Sequence, residues 1–234
     1  LGRQFVLGQS IAEAMQEAAA GRRQTAGLRY SFDMLGEGAR TWADADRYLA
    51  AYEHALNHLS THGEAAKGQG LSIKLSALHP RLDERHGPEV LPQILPRVLP
   101  LATLAAHHGL LLTLDAEESD RLELQLRVLR ALVEALNASA HPELATWAGL
   151  GMAVQAYQFR APAVIRQLES LARHLGRPLT VRLVKGAYWD GEIKRAQEMG
   201  LPGYPVYTRK AHTDLSYLAC ARQLLLHADV LRPQ

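Results

Sequence analysis

From residue 27 onward, short apolar runs alternate with longer amphipathic ones. The apolar runs, rich in Leu, Ile and Val, fall at 28–35, 71–75, 110–115, 151–156 and 179–184. Several are apolar almost without interruption, the pattern of strands buried on both faces. Between them, apolar residues at helical spacing predict helices over 42–59, 97–108, 120–136 and 163–175. The clearest is the third, where Leu122, Leu126, Leu129, Val133 and Leu136 form one stripe on one face. Ser119 is its predicted N-cap, with acids nearby to suit the helix dipole. A polar connection after the fifth strand leads to a further predicted helix over 214–227. Ahead of all this, Ser10 and Glu13 read as a capping box, Ile11, Met15 and Ala18 recur at helical spacing, and Gly21 is the predicted stop. That stripe is thin, so 1–26 reads as a helical arm and 27–234 as the main domain. One segment resists the pattern. Pro88, Pro92, Pro96 and Pro100 recur every four residues, although Ile94, Leu95, Val98 and Leu99 look helical. Interior prolines remove a donor and clash with the preceding turn, so the helix here is expected to be distorted or to start late.

Strand alternating with helix predicts an α/β fold with a parallel sheet, either doubly wound or a (β/α)8 TIM-like barrel. No GxGxxG follows the first strand, which weakens the dinucleotide-binding version of the former. Polar residues instead end nearly every strand: Asp33, Lys74, Asp115, Gln155, then Arg182 and Lys185. A barrel gathers its active site at that face, and the recurrence favours the barrel. Strand starts are roughly 38 residues apart, so eight units need about 300 residues against about 207 from residue 28 onward. The barrel is therefore expected to be truncated after about five βα units, with residues 231–234 lying where a sixth strand would begin.

Composition narrows the class. The chain has 234 residues, 47% apolar and 21% charged, which suits a packed core and excludes disordered, collagenous and disulfide-scaffold proteins. Its one cysteine, Cys220, falls in an apolar helical stretch and reads as a small core residue. One thiol allows neither an internal disulfide nor a cysteine zinc site, which favours a reducing, cytoplasmic setting. No apolar run approaches the roughly 18 residues of a membrane span, and the first residues lack the features of a secretory signal. The net charge is +2 with both signs interspersed, so no nucleic-acid partner is expected for this segment. The acids of 115–120 fit a helix's first turn, and adjacent residues do not converge on one ion. His54 and His58 share a helix face without HExxH spacing or a third ligand. No metal is expected.

The densest chemistry lies in Val-Arg-Leu-Val-Lys-Gly-Ala-Tyr-Trp-Asp (181–190). Arg182 and Lys185 end the strand, Gly186 permits close backbone approach, and Tyr188 and Trp189 follow. Cations, free amides and flat aromatics suit an anionic, planar ligand. The alternative is that the two cations pair with surface acids while Trp189 packs in the core. Lys74 and Asp115 each end an apolar run and together could bind a carboxylate and orient an amine; the alternative is a buried structural ion pair. Tyr-Pro-Val-Tyr-Thr-Arg-Lys (204–210) either wraps a cofactor tail, with Thr208 and Lys210 on phosphate, or is a plain connection.

Taken together, these segments resemble the proline dehydrogenase domains of the proline utilization A family, bifunctional bacterial flavoenzymes. The matching runs are Tyr-Ser-Phe-Asp-Met-Leu-Gly-Glu (30–37), Ser-Ile-Lys-Leu-Ser-Ala-Leu-His-Pro (72–80), Asp-Ala-Glu-Glu-Ser-Asp-Arg-Leu-Glu (115–123), Gln-Ala-Tyr-Gln (155–158), Arg-Leu-Val-Lys-Gly-Ala-Tyr-Trp-Asp (182–190) and 204–210. The resemblance implies a (β/α)8 barrel holding FAD, oxidation of L-proline to Δ1-pyrroline-5-carboxylate by hydride transfer to flavin N5, and electrons passed to a membrane quinone. It implies a cytoplasmic protein, peripheral at the inner membrane face, with an aldehyde dehydrogenase half as partner. By motif, Lys74 resembles the residue that binds the proline carboxylate, Asp115 an active-site carboxylate beside the substrate, and Tyr188 a pocket wall. Arg182 resembles the guanidinium near flavin N5 that stabilises the reduced flavin. Gln155, Lys185 and the backbone of Ala116, Gly186 and Ala187 resemble flavin contacts. Trp189, Thr208 and Lys210 resemble contacts to the rest of FAD. The family's later FAD-contacting strand, its carboxylate-clamping arginine pair on a final helix and its DNA-binding module have no counterpart in this sequence. Two other readings stand beside this one: a fragment without catalysis, or a Schiff-base lyase on the same barrel using Lys185 or Lys74 as nucleophile.

Overall fold

The structure, a computed structural model, describes residues 6–25, 27–34 and 38–234. Six strands form one sheet: β1 (Ser31–Asp33), β2 (Gly70–Ile73), β3 (Leu111–Leu114), β4 (Leu150–Gln155), β5 (Leu179–Val184) and β6 (Leu231–Pro233). Every neighbouring pair is parallel and the spatial order is the chain order, β1 to β6. A doubly wound sheet reverses its order at a switch point; this one does not, which is the topology of a barrel wall. The helices are α1 (Ile11–Gln24), α2 (Trp42–Ser60), α3 (Leu75–Leu78), α4 (Gly87–His107), α5 (Leu122–Asn137), α6 (Pro142–Thr146), α7 (Ala161–Leu175), α8 (Trp189–Glu198) and α9 (Lys210–Leu226). All of β2 and β4 is buried, as continuous apolar strands between two packed layers must be. Leu56 and Leu59 of α2, Ile94 and Leu101 of α4, Leu129 and Leu132 of α5 and Leu168 of α7 close over the same core.

Several expectations are corrected. The first strand is three residues long, and position 35 of its expected span lies outside the described residues, as do 35–37 of the first family motif. Lys74 and Leu75 are not strand: β2 ends at Ile73 and the chain turns at once into α3. Gly21 does not stop α1, which continues to Gln24; the Tyr30 hydroxyl packs where its Cβ would be. Ser119 does not cap α5, because its N–H and hydroxyl instead donate to the buried carboxylate of Glu192. α8 was read as connection because it buries little beyond Glu192 and Ala196 and so shows no apolar stripe. The last residues, in contrast, do form the sixth strand expected there, with Leu231 opposite Leu179.

α4 starts ten residues earlier than expected and runs through Pro92, Pro96 and Pro100. The spacing explains why. A helical proline leaves the carbonyl four residues back without its donor, so prolines four apart put every orphaned carbonyl on their own face. Pro88, Pro92, Pro96 and Pro100 are all exposed, so the orphaned carbonyls lie on the solvent-facing side of the helix. The opposite face buries Val90, Ile94, Val98, Leu101 and Ala105.

Candidate functional site

Parallel strands bring their C-terminal ends to one rim, and the charged residues read from the sequence collect there. Asp33 ends β1, Lys74 and Asp115 follow β2 and β3 directly, and Arg182 lies two residues before the end of β5. The Asp115 N–H donates to the Ile73 carbonyl at 2.9 Å, which sets the two loops side by side. The Lys74 ammonium donates to both Asp33 oxygens at 3.0 and 3.1 Å and to Asp115 Oδ2 at 3.2 Å. Arg182 Nη2 meets Asp115 Oδ1 at 3.2 Å and donates to Ser72 Oγ. The row Arg182, Asp115, Lys74, Asp33 alternates in sign and sums to zero. The Lys74 and Asp115 side chains are 13% and 11% exposed, a depth at which charges persist only when paired.

Burial raises the proton affinity of Asp115, and the charges of Arg182 and Lys74 oppose that rise. Burial works against the Lys74 ammonium, yet the hydrogen bond to Asp33 and the charges of Asp115 and Asp33 outweigh it and hold its pKa above the usual lysine range. The Lys74 N–H donates to the Tyr52 hydroxyl at 3.1 Å, and burial pushes that phenol up to about 12.

A second group lies beside the first. Gln155 ends β4; its Nε2 donates to the Glu117 carbonyl at 2.8 Å and its Oε1 accepts from the Ala187 N–H at 3.1 Å. Gly186 has φ of +143°, and a Cβ there would come within 2.4 Å of the Tyr157 ring, so the backbone lies flat on that ring. The Tyr157 hydroxyl accepts from the Tyr188 N–H at 3.3 Å. Ala116 is half-buried between Asp115 and Glu117.

A third group faces solvent. Lys185 and Lys210 converge on the two oxygens of Asp214, at 2.5 and 2.6 Å. Lys185 thus pairs with a surface acid, as one of the two readings had it. Trp189 opens α8 at 42% exposure, so it is not a core residue; its indole N–H donates to the Tyr207 carbonyl at 2.9 Å. Thr208 is exposed on the adjoining loop. Among the described residues, no group of three or more His, Cys, Asp or Glu side chains is placed to hold a metal ion.

Four residues at this rim escaped the sequence reading: Tyr52, Ser72, Glu117 and Tyr157. Tyr52 lies inside a predicted helix and Ser72 inside a quoted motif, and neither carries a local signal that sets it apart. Glu117 was absorbed into an acidic run. Tyr157 stood in a quoted motif but had no role until its ring was seen under Gly186.

Comparison with known proteins gives a consistent picture. The family model described as Proline dehydrogenase matches residues 15–234. The bifunctional protein PutA of Escherichia coli is 49% identical over 237 residues, covering 100% of this chain and 17% of that protein. Proline dehydrogenase 1 of Bacillus subtilis is 27% identical over 227 residues, covering 97% of this chain and 62% of that protein. Among solved structures, proline utilization A from Bdellovibrio bacteriovorus, inactivated by N-propargylglycine, superposes with a TM-score of 0.88 at 28% identity, covering 99% of this chain and 25% of that one. A mutant of the Bradyrhizobium japonicum protein gives a TM-score of 0.82 at 50% identity, covering 97% of this chain and 22% of that one. The chain therefore spans about a sixth of the length of the PutA relative it matches throughout.

Proposed function

Because the chain belongs to the proline dehydrogenase family, we propose that its rim oxidises L-proline to Δ1-pyrroline-5-carboxylate with FAD as cofactor. The electrons pass on to a membrane quinone, within a larger protein that carries an aldehyde dehydrogenase half. The observation that carries this reading is the charge-alternating row at the strand ends. A neutral row of alternating charges suits a zwitterion: the proline carboxylate against Lys74 and its ammonium towards Asp115. Lysine has three donors, and all three of Lys74's go to Asp33 and Asp115, so the substrate carboxylate would take the place of one of the two Asp33 contacts.

The residues present fit FAD. Arg182 Nε is buried with no hydrogen-bond partner, a donor waiting for an acceptor on a neighbouring group. The backbone at Gly186 packs so closely on the Tyr157 ring that no side chain fits between them, which fixes the course of the chain between Lys185 and Ala187. Arg182, Gln155, Lys185 and the backbone of Ala116, Gly186 and Ala187 would hold the flavin, with Trp189, Thr208 and Lys210 on the remainder. The chemistry FAD supplies when bound is acceptance of a hydride at N5. The chain's own part is to bind, orient and deprotonate. Lys74 anchors the substrate's carboxylate. Asp115, with its proton affinity raised by burial, takes the amine proton at a carboxylate oxygen, which frees the lone pair that drives hydride loss. Arg182 stays hydrogen-bonded to Asp115 and Ser72 and supplies fixed positive charge where negative charge accumulates.

The lysines argue against a Schiff-base lyase. A nucleophilic lysine needs a lowered pKa, whereas contacts to carboxylates raise both Lys74 and Lys185. The test is anaerobic: FAD-loaded protein is mixed with L-proline. Bleaching of the flavin with one equivalent of Δ1-pyrroline-5-carboxylate is expected. Flavin left oxidised, with borohydride trapping a carbonyl substrate on Lys74 or Lys185, would favour the lyase.

A further inference from the structure

A hydrogen-bonded belt runs around the rim beside the charged row. The N–H groups of Gly38 and Ala39 donate to Ser76 Oγ at 3.3 Å and to the Ser76 carbonyl at 2.8 Å. The Ser76 N–H donates to Glu117 Oε1 at 3.0 Å. The Glu117 carbonyl accepts from Gln155, and Gln155 accepts from Ala187. The segments that follow β1, β2, β3 and β5 and the last residue of β4 are thus joined in series, and the step from the β2 loop to the β3 loop passes through the Glu117 carboxylate.

Lys74 is the N-cap residue of α3 and makes no capping bond, because an ammonium has donors only and cannot accept from the helix's first N–H groups. The first N–H groups of a helical turn need acceptors from elsewhere. Glu117 supplies one from the neighbouring loop. It lies two residues beyond Asp115, and Ser76 lies two residues beyond Lys74. The two loops are therefore tied by three rungs: the Asp115 N–H to the Ile73 carbonyl, the Lys74–Asp115 ion pair, and the Ser76–Glu117 bond. Glu117 is 5% exposed; its second carboxylate oxygen accepts from Arg121 Nη1 at 2.6 Å. Burying a carboxylate is costly unless its oxygens are occupied, and stability alone is a weak reason to place one here. Burial also raises its pKa.

We infer that Glu117 is a positioning residue for substrate binding: by holding the Ser76 N–H it fixes the turn from which Lys74 reaches towards Asp115 and the substrate carboxylate. This rests on the reading of Lys74 given above. Without the third rung the α3 turn is free to shift, and a displacement of about 1 Å at an ammonium costs binding to both ground and transition states. Loss of that kind raises KM and spares kcat.

The test is steady-state kinetics of the FAD-loaded holoenzyme with L-proline, on wild type, Glu117→Leu and Glu117→Gln. Glu117→Leu keeps the volume and removes the acceptor; it is expected to raise KM about tenfold, with kcat within about twofold and flavin content unchanged. Glu117→Gln keeps an oxygen for the Ser76 N–H and is expected to restore KM to within about threefold. A fall in kcat and flavin content with KM unmoved marks a structural role and overturns the inference. So does a Glu117→Gln enzyme whose KM rises as far as that of Glu117→Leu. If Glu117→Leu does not fold, hydrogen exchange at the Ser76 amide decides: slow exchange in wild type and in Glu117→Gln supports the contact, and exchange as fast as in an open loop overturns it. A wild-type holoenzyme that leaves proline unoxidised removes the functional reading and this inference with it, whereas a proline-competent wild type indifferent to Glu117→Leu removes the inference alone.

Discussion

Arg177 shows how much a single residue can be asked to hold. It is 2% exposed and donates to Asn137 Oδ1 from two nitrogens, to the Trp147 carbonyl at 2.6 Å and to the Leu144 carbonyl at 2.6 Å. Its partners are neutral oxygens near the ends of α5 and α6, where helix dipoles favour a cation. Arg177→Met preserves bulk but orphans those acceptors, and is expected to cost about 3 kcal/mol by urea unfolding; a cost under about 1 kcal/mol would mean water serves the carbonyls. Lys74 gives a prediction with a definite sign. A raised lysine pKa stabilises the fold fully below the ordinary value of 10.5, and that contribution is lost as pH rises through the folded value. The stability gap between wild type and Lys74→Met is therefore expected to hold steady in mildly alkaline solution and to shrink above about pH 10.5. A gap that widens there would contradict the ion-pair network. Lys74, Asp115 and Arg182 were legible in the sequence because each breaks or closes an apolar run. Glu117 and Tyr52 were not, because what matters about them is a partner 41 or 22 positions away.

Elements were legible where burial follows a simple period. β4 and α5 show it plainly: one is buried throughout and apolar until its last residue, Gln155, and the other carries a single stripe. α8 and α9 do not. α9 buries Thr213, Ser216, Cys220 and Leu224 while Leu215, Leu218, Leu225 and Leu226 are each more than 60% exposed, so its hydrophobic pattern points away from the contact it makes. α4 was half legible, because prolines were read as breakers when their spacing of four gathers the damage on the wet face. That account can be measured. Pro96→Ala returns an N–H opposite the Pro92 carbonyl and relieves the ring clash, worth up to about 3 kcal/mol, against about 1 kcal/mol lost through a more flexible unfolded chain. A higher Tm by a few degrees is expected in a thermal melt. A lower Tm would show that the proline stripe stiffens a helix already adapted to it.

At the scale of the whole molecule, the sheet order was foreseen from strand-end chemistry rather than from any strand's own sequence. Charged residues at the ends of successive strands are useful together only if those ends share a rim, and parallel strands in chain order provide that. What the linear pattern lacked was distance: Asp33, Lys74, Asp115 and Arg182 lie on four different strand ends, and only their register brings them within 3.2 Å of one another in sequence along the row. On the proposed reading, binding and redox chemistry at that row are separable, because Lys74 would meet the substrate's charge while Arg182, Gln155 and the Gly186 backbone would face the flavin. The decisive measurement is an anaerobic titration of the FAD-loaded protein with L-proline, wild type beside Lys74→Met, followed by flavin absorbance. Complete bleaching of the wild type is expected, together with a variant that retains its flavin but needs at least about a hundredfold more proline, as for loss of a charged partner. Superimposable titrations, or a wild type that proline does not bleach, would contradict the assignment of this rim as the site of proline oxidation.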